Sequence, residues 1–205
     1  MELSVSGLRI VVTEEVYQPA EDSFMLADAA SHLNGSILEI GCGSGLASLS
    51  AAKSNPKNTV IGVDINQHAV KCARTNAKLN HLANVKFIES NLFANVPKKK
   101  FDAIMFNPPY LPTSEDELVK GPLNHAFDGG KNGRTVLERF LANFDNFLKP
   151  GGTLLLIQSS LNDKEKTITK LESFGYTVQI AKEEKFFFER LFLLKAVKPI
   201  IPTRH

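Results

Sequence analysis

The sequence predicts an α/β protein built on a doubly wound, mostly parallel seven-stranded sheet with an antiparallel C-terminal strand, in a single domain. Three observations carry this. From Ser36 onward, short apolar runs alternate with segments of helical period, the signature of parallel strands joined by crossover helices. A glycine-rich turn, Gly41-Cys42-Gly43-Ser44-Gly45, falls between the first of these strands and its helix. The 205 residues suit one domain, and no repeat, low-complexity tract or interdomain linker divides them.

In order, Leu8–Val12 has the pattern of a short strand. Pro19 loses no needed donor in a helix's first turn, and the acids Glu21 and Asp22 suit the positive end of the helix dipole, so a helix is expected from there to about Leu33. Strand Ile37–Ile40, a helix from Leu46, strand Val60–Val63, helix Gln67–Leu79, strand Val85–Ile88 and strand Phe101–Phe106 follow. The stretch Asn107–Asn132, rich in Pro, Gly and Asn, runs for about 25 residues, more than a compact domain spends on a plain connection, and is expected to have a working role. Helix Arg134–Phe147 is expected to stop at Lys149-Pro150-Gly151-Gly152 and release strand Thr153–Gln158. A helix near Asp163–Phe174 ends at Gly175. Strands Tyr176–Ala181 and Arg190–Ala196, joined by a short link, can pair antiparallel. Residues 1–198 form the domain and 199–205 a tail expected to fray.

Composition narrows the function. Hydrophobic residues at 43% and charged residues at 22% exclude a disordered or collagen-like chain. A formal charge of +2 is too small for bulk attraction to nucleic acid or an anionic membrane. Cys42 and Cys72 alone build neither a multi-cysteine zinc site nor a disulfide framework, so no metal is expected and an intracellular, cytoplasmic setting is. The opening MELSVSGLRIVVTEE lacks the regions of a signal peptide, and no run of about 18 apolar residues offers a membrane span. His68 and Cys72 share a helix face, but two ligands do not make a metal site. Cys42, with no activating His or Lys nearby in sequence, is expected to be a small filler of its loop.

The glycine turn sits where open parallel sheets bind ligands, outside the carboxyl ends of the strands. It fails the dinucleotide pattern, which would need glycine at Leu46 or Ser48, and there is no G-x-x-x-x-G-K-[ST] to hold a triphosphate. Asp64 closes the second strand 23 residues after Gly41, where a carboxylate can accept both hydroxyls of a ribose. Glu39 beside the turn suits a ligand carrying positive charge. An adenosine ligand without a phosphate chain and with a cationic part is S-adenosylmethionine.

Asn107-Pro108-Pro109-Tyr110 follows the strand ending at Phe106, again at a carboxyl edge. Two prolines stiffen the turn and remove two backbone donors, leaving a rim of acceptors. A planar NH2 group is a poor nucleophile because its lone pair is delocalised. The Asn107 side-chain oxygen and the Pro108 carbonyl can take its two N–H groups and aim the nitrogen at an electrophile, while Tyr110 stacks on the flat group. This constellation asks for direct methyl transfer from a sulfonium by positioning, with no dedicated base identified.

On these residues the sequence resembles the class I S-adenosylmethionine-dependent methyltransferases, with their Rossmann-like sheet, and more narrowly the HemK family of release-factor glutamine methyltransferases in its short archaeal and eukaryotic form. The resemblance runs from about Val16 to Lys198. It rests on Tyr17-x-Pro19-x-Glu21-Asp22-Ser23, Glu39-x-Gly41-x-Gly43-x-Gly45, Asp64, Asn107-Pro108-Pro109-Tyr110, Gly129-Gly130-x-Asn132-Gly133-Arg134 and Glu189-Arg190-Leu191-Phe192. It implies cofactor contacts from Tyr17, Ser23, Glu39, Gly41, Cys42, Gly43, Asp64, Ile65, Asn91, Leu92 and Asn107, with Asn107, Pro108, Pro109 and Tyr110 at the transfer site and S-adenosylhomocysteine as the second product. It implies as substrate the glutamine of the Gly-Gly-Gln motif of a class I peptide chain release factor, and as partner a small Trm112-like zinc-binding activator. The separate N-terminal helical domain of the bacterial members is not seen, which fits the shorter branch. Two departures stand out. Ser90-Asn91-Leu92 replaces an acid at the end of the third strand, where Asn91 can still accept from an adenine amine, and Ala126-Phe127-Asp128 replaces the Trp or Ala common on the substrate side.

The same acceptor chemistry serves an adenine-N6 methyltransferase on RNA or DNA. Such an enzyme must hold and flip a base, yet the one compact basic run, Lys98-Lys99-Lys100, has the pattern of a solvated turn. A non-catalytic protein that keeps the fold as a binding platform is the other alternative, and the intact Asn107–Tyr110 segment speaks against it. Strand Val85–Ile88 is expected at a sheet edge, where an activator could pair or pack.

Overall fold

In the computed structural model, which describes residues 1–110, 129–130, 132–187 and 189–200, the chain opens with an antiparallel hairpin, β1 (Glu2–Val5) and β2 (Leu8–Val11). There follow α1 (Glu21–Ala30), β3 (Ser36–Ile40), α2 (Leu46–Ser54), β4 (Thr59–Asp64), α3 (Gln67–Leu79), β5 (Val85–Glu89), β6 (Phe101–Phe106), α4 (Thr135–Leu141), β7 (Leu148–Ser159), α5 (Lys164–Ser173), β8 (Thr177–Lys185) and β9 (Arg190–Val197). The seven-stranded sheet has the order β5-β4-β3-β6-β7-β9-β8. Pairs β5–β4, β4–β3, β3–β6 and β6–β7 are parallel, and β9 runs antiparallel to both β7 and β8. Strand order reverses between β3 and β6, so connections leave this point toward opposite sides and open a crevice at the carboxyl ends.

Alternation along the strands sets the two faces. Ile37, Val60, Met105, Ile157 and Leu193 join α1, α2 and α3 in one core, whereas Leu38, Val63, Phe106, Leu156 and Leu194 join α4 and α5 in the other. The period of two therefore points Glu39 and Asp64, which follow Ile37 and Gly62 at alternate positions, toward the first helical layer. Gly62 leaves room for the Phe87 ring, since a Cβ there would lie 2.7 Å from it.

Several boundaries depart from expectation. Strand β1 was not expected: its residues are polar or half-buried, and it exists by pairing with β2 across Ser6-Gly7, both at positive φ, as a two-residue hairpin turn requires. Helix α1 begins at Glu21 because Ala20 is extended, which leaves Pro19 outside the first turn. It ends at Ala30, and the chain reaches Leu33 through tighter turns in which Leu33 N donates to Ala30 O. The helix expected over Arg134–Phe147 is α4 followed by a separate 3₁₀ turn, Phe144–Phe147. Lys149–Gly152 lies inside β7, because Gly151 N donates to Lys198 O and Lys198 N to Gly152 O, so the chain end continues the ladder. Charged Lys182–Lys185 extend β8 past a register shift, carried by pairing with β9. Ala126–Phe127–Asp128, most of the long Asn107–Asn132 stretch and residues 201–205 lie outside the described residues.

The second core is closed by a run of rings: Phe140 packs on Phe93, Phe106 and Phe144 at centroid distances of 5.6, 4.6 and 5.3 Å. Phe140→Ala is expected to lower unfolding free energy by ~3–5 kcal/mol in urea titrations. A loss under about 1 kcal/mol would mean that this face repacks around the gap.

Candidate active site

The crevice between β3 and β6 deepens into a cavity of about 630 Å³, within the range of small-molecule sites. Every residue nominated from the sequence lies on its wall: Tyr17 before α1 and Ser23 in its first turn, Glu39 to Gly43 at the end of β3, Asp64 and Ile65 at the end of β4, Asn91 and Leu92 after β5, and Asn107 to Tyr110 after β6.

One half of the wall is built by the glycine turn. Gly41, Gly43 and Gly45 all take positive φ, which a side chain would strain. Gly45 also lets α2 approach, since a Cβ there would stand 3.0 Å from Ala73 and from the Phe87 ring. Gly43 faces open space, and its N–H donates to Asp64 Oδ2 at 2.8 Å while Asn66 N donates to Asp64 Oδ1 at 2.9 Å. Both carboxylate oxygens are thus oriented, with acceptor capacity left for a diol. Glu39 is buried and accepts from Ser48 N at 2.9 Å and from Ser48 Oγ. Burial pushes its carboxyl up to about 8, against the two Ser48 hydrogen bonds that pull it down. Leu92 holds a left-handed backbone, its turn tied by Ser90 Oγ, which donates to Leu92 O and accepts from Asn95 N. Asn91 Oδ1 accepts from Arg139 Nη2 at 3.1 Å, so the oxygen expected to meet an adenine amine is shared with a guanidinium.

The other half is organised by Asp22, which sequence reading placed only as a first-turn acid. Its side chain is buried, whereas neighbouring Glu21 is exposed, and nothing in the sequence separates the two. Oδ1 accepts from Ser23 N at 2.6 Å and Ser23 Oγ at 3.1 Å. Oδ2 accepts from Asn107 Nδ2 at 2.9 Å and Tyr110 Oη at 3.3 Å, and Tyr17 Oη lies 3.3 Å from both oxygens. The helix N-terminus helps to hold this buried charge. Burial and the Asp22 charge raise both phenols above their ordinary value, so Tyr17 and Tyr110 stay protonated and donate. Asn107 Oδ1 is buried and has no hydrogen-bond partner among the described residues.

The Gly129–Arg134 turn braces this half from behind. A Cβ on Gly133 would stand 2.4 Å from Tyr110 O, so glycine lets the turn press on that carbonyl. Buried Arg134 donates through Nη1 to the carbonyls of Asn162 and Asp163 and to Thr167 Oγ1, and through Nε and Nη2 to Glu138. Glu189, which accepts from Ser159 Oγ at 2.7 Å, completes the rim beside Tyr17 and Tyr110. Arg139 is a further wall residue that no motif singled out, and Glu189, named in the closing Glu189–Phe192 motif without a role, is another. Among the described residues no group of three His, Cys, Asp or Glu could hold a metal. Cys42 and Cys72 are free and buried.

The donor set fits a cationic nucleoside: a glycine cradle without phosphate-binding lysine, a carboxylate for a ribose, a second carboxylate within the wall, and an orphaned acceptor opposite. Fold and cavity together are those of an α/β methyltransferase. The chain belongs to the Methyltransferase small domain family, whose profile matches residues 21–189. It is 48% identical over 197 residues to a Methanocaldococcus jannaschii protein provisionally named a protein N5-glutamine methyltransferase, covering 96% of this chain and 98% of that one. It is 32% identical over 193 residues to methyltransferase HEMK2 of Homo sapiens, covering 90% of each. Among solved structures, the E. cuniculi Mtq2–Trm112 complex, described as responsible for methylation of the eRF1 translation termination factor, is similar with a TM-score of 0.69 at 27% identity, covering 90% of this chain and 99% of that one.

Because the Glu39 carboxyl is raised to about 8 from 4.5, the ligand-free folded state holds a proton that the unfolded chain releases. Stability from this group is present at low pH and declines as pH rises toward 8. In calorimetric scans of ligand-free protein, Glu39→Gln is expected to lose less stability than wild type between pH 6 and pH 9. Parallel curves would show that the site does not hold this proton.

Proposed function

We propose that this chain transfers a methyl group from S-adenosylmethionine to the side-chain amide nitrogen of the glutamine in the Gly-Gly-Gln motif of a class I peptide chain release factor, leaving S-adenosylhomocysteine. The observation that carries the reading is the orientation of Asn107. A carboxylate only accepts, so the Asn107 amino group faces Asp22, and its oxygen is buried at the cavity wall with no partner among the described residues. That oxygen takes one N–H of the acceptor amide and the Pro108 carbonyl takes the other, so the nitrogen rather than the amide oxygen is aimed. Tyr110 covers the flat face.

Bound S-adenosylmethionine supplies an electrophilic methyl on a sulfonium. The chain's own work is positioning. Asp64 and the glycine turn hold the nucleoside, Glu39 lends negative charge to the cationic end, and Tyr17 and Ser23 close beside it. Asp22 is saturated by donors and both tyrosines remain protonated, so none of them acts as base. The proton released from the methylated nitrogen passes to water.

Relatives named for protein glutamine and a neighbour described as acting on a termination factor support this substrate over nucleic-acid adenine. So does the placement of Lys98–Lys100, exposed just before β6 and hence at the amino end of the parallel strands, opposite the cavity. The same reading includes a Trm112-like zinc-binding activator. It is supported by β5, which ends the sheet and leaves one side of its ladder to a second chain, and by the neighbour solved as a complex. Cytoplasmic location follows from the substrate; among the described residues no helix is long and apolar enough to cross a membrane.

Asn107→Ala is expected to keep S-adenosylmethionine affinity by calorimetry while losing at least about a hundredfold in turnover. Asp22→Asn, which lets the Asn107 amide turn over, should lose transfer with the same cofactor-binding profile. Mass spectrometry of release-factor peptides should place the added methyl on the glutamine. Unchanged turnover in Asn107→Ala, or label entering nucleic acid and not the factor, would defeat the assignment.

A further inference from the structure

The hairpin of β8 and β9 exposes aromatic side chains near its tip. Between the two strands the sequence reads Phe186-Phe187-Phe188-Glu189, with none of the Gly, Asn, Asp, Pro or Ser that hairpin turns favour. Phe187 is 92% exposed and Phe186 38% exposed, so at least the first ring adds almost nothing to core burial. Charged residues flank the rings on both sides: Lys182, Glu183, Glu184 and Lys185 before them, Glu189 and Arg190 after. An aromatic centre with a polar rim is the anatomy of a binding anchor.

The hairpin is also held in place beside the cavity. Phe186 N donates to Glu189 O at 2.8 Å and closes the turn. Ser159 Oγ donates to Glu189, and Arg190 N donates to Ser160 Oγ at 3.0 Å, which fastens the base of β9 to the end of β7. Glu189 itself lines the cavity on the side of Tyr17 and Tyr110. One residue separates Phe187 from Glu189, so their Cα atoms, two steps of about 3.8 Å apart along the chain, lie at most about 7.6 Å from each other. A polypeptide that delivers an amide to Asn107 through this mouth brings its neighbouring surface over the tip.

We propose that Phe186 and Phe187 at the β8–β9 tip anchor the protein substrate by receiving an apolar surface next to its acceptor glutamine. This rests on the release-factor reading above and specifies how the protein, beyond the glutamine itself, is held. The occupant is the substrate protein rather than the activator, because β5 and the tip-bearing pair β9–β8 stand at opposite ends of the sheet.

The test uses the full chain, with its activator if one is needed, and an intact release factor. Phe187→Ser is expected to raise KM for the factor about tenfold, the loss of one good anchor, with kcat changed less than about twofold. Phe187→Tyr, which keeps the ring, should retain wild-type KM, and S-adenosylmethionine affinity and melting temperature should not move in either variant. An unchanged KM in both Phe187→Ser and Phe186→Ser/Phe187→Ser, while wild type methylates the factor normally, overturns the anchor and leaves the release-factor reading standing. A KM effect that tracks loss of activator binding or of a dimer, measured by light scattering, also overturns it in favour of those partners. Failure of wild type to methylate the factor at all sinks the release-factor reading, and this inference with it.

Discussion

A single buried carboxylate gathers the half of the cavity opposite the glycine turn. Asp22 collects donors from Tyr17, Ser23, Asn107 and Tyr110, residues of two segments that lie 93 positions apart at their ends. An unpaired charge in this position would be costly, and each donor lowers that cost, so the segments are drawn to one arrangement. The consequence for chemistry is the direction of one amide. With its amino group held by Asp22, Asn107 cannot exchange its amide oxygen and nitrogen without setting two acceptors against each other. A stiff Pro-Pro turn in front and the Gly133 turn behind restrict the backbone that carries it.

The charge of the cavity follows one logic from floor to rim. Glu39, Asp64, Asp22 and Glu189 all contribute carboxyl groups to its wall, and among the described residues Arg139 is the cation there. Such a wall repels a phosphate chain and favours a ligand with a cationic centre. Glu39 shows the tension most clearly: burial favours its neutral form, while Ser48 and any cationic ligand favour the ionised one. Binding of a cation at this place and loss of the Glu39 proton are therefore linked events. The left-handed turns at Gly41, Gly43, Gly45 and Leu92 set the backbone close to the ligand space, a local cost that the packed sheet beneath absorbs.

Strands β3 to β6 and helices α2 and α3 were legible because each buries a continuous apolar run or a clear helical stripe, and the glycine turn marks its own position. Legibility failed where pairing or context decides. Glu2–Val5 becomes a strand only because Ser6-Gly7 folds it onto β2, and Lys182–Lys185 remain strand only because β9 lies alongside. Gly151-Gly152 resembles a stop, yet the chain end pairs with it and the strand continues through it. The helix after Arg134 breaks into α4 and a 3₁₀ turn, a distinction that apolar spacing over so short a span does not encode.

The same division holds for the site. The sequence alone determined the sheet's class, the residues at the carboxyl ends of β3, β4 and β6, and the chemistry they suit, because strand ends, glycine turns and an Asn-Pro-Pro-Tyr segment are local features with local signatures. Only the tertiary structure decided that Asp22, and not Glu21, is the buried acid, that the Asn107 amino group is the one held by Asp22, and that Glu189 at the start of β9 lines the cavity. Each of these depends on contacts between segments far apart in the chain, and no local spacing records which side chain of an adjacent pair will turn inward when those segments meet.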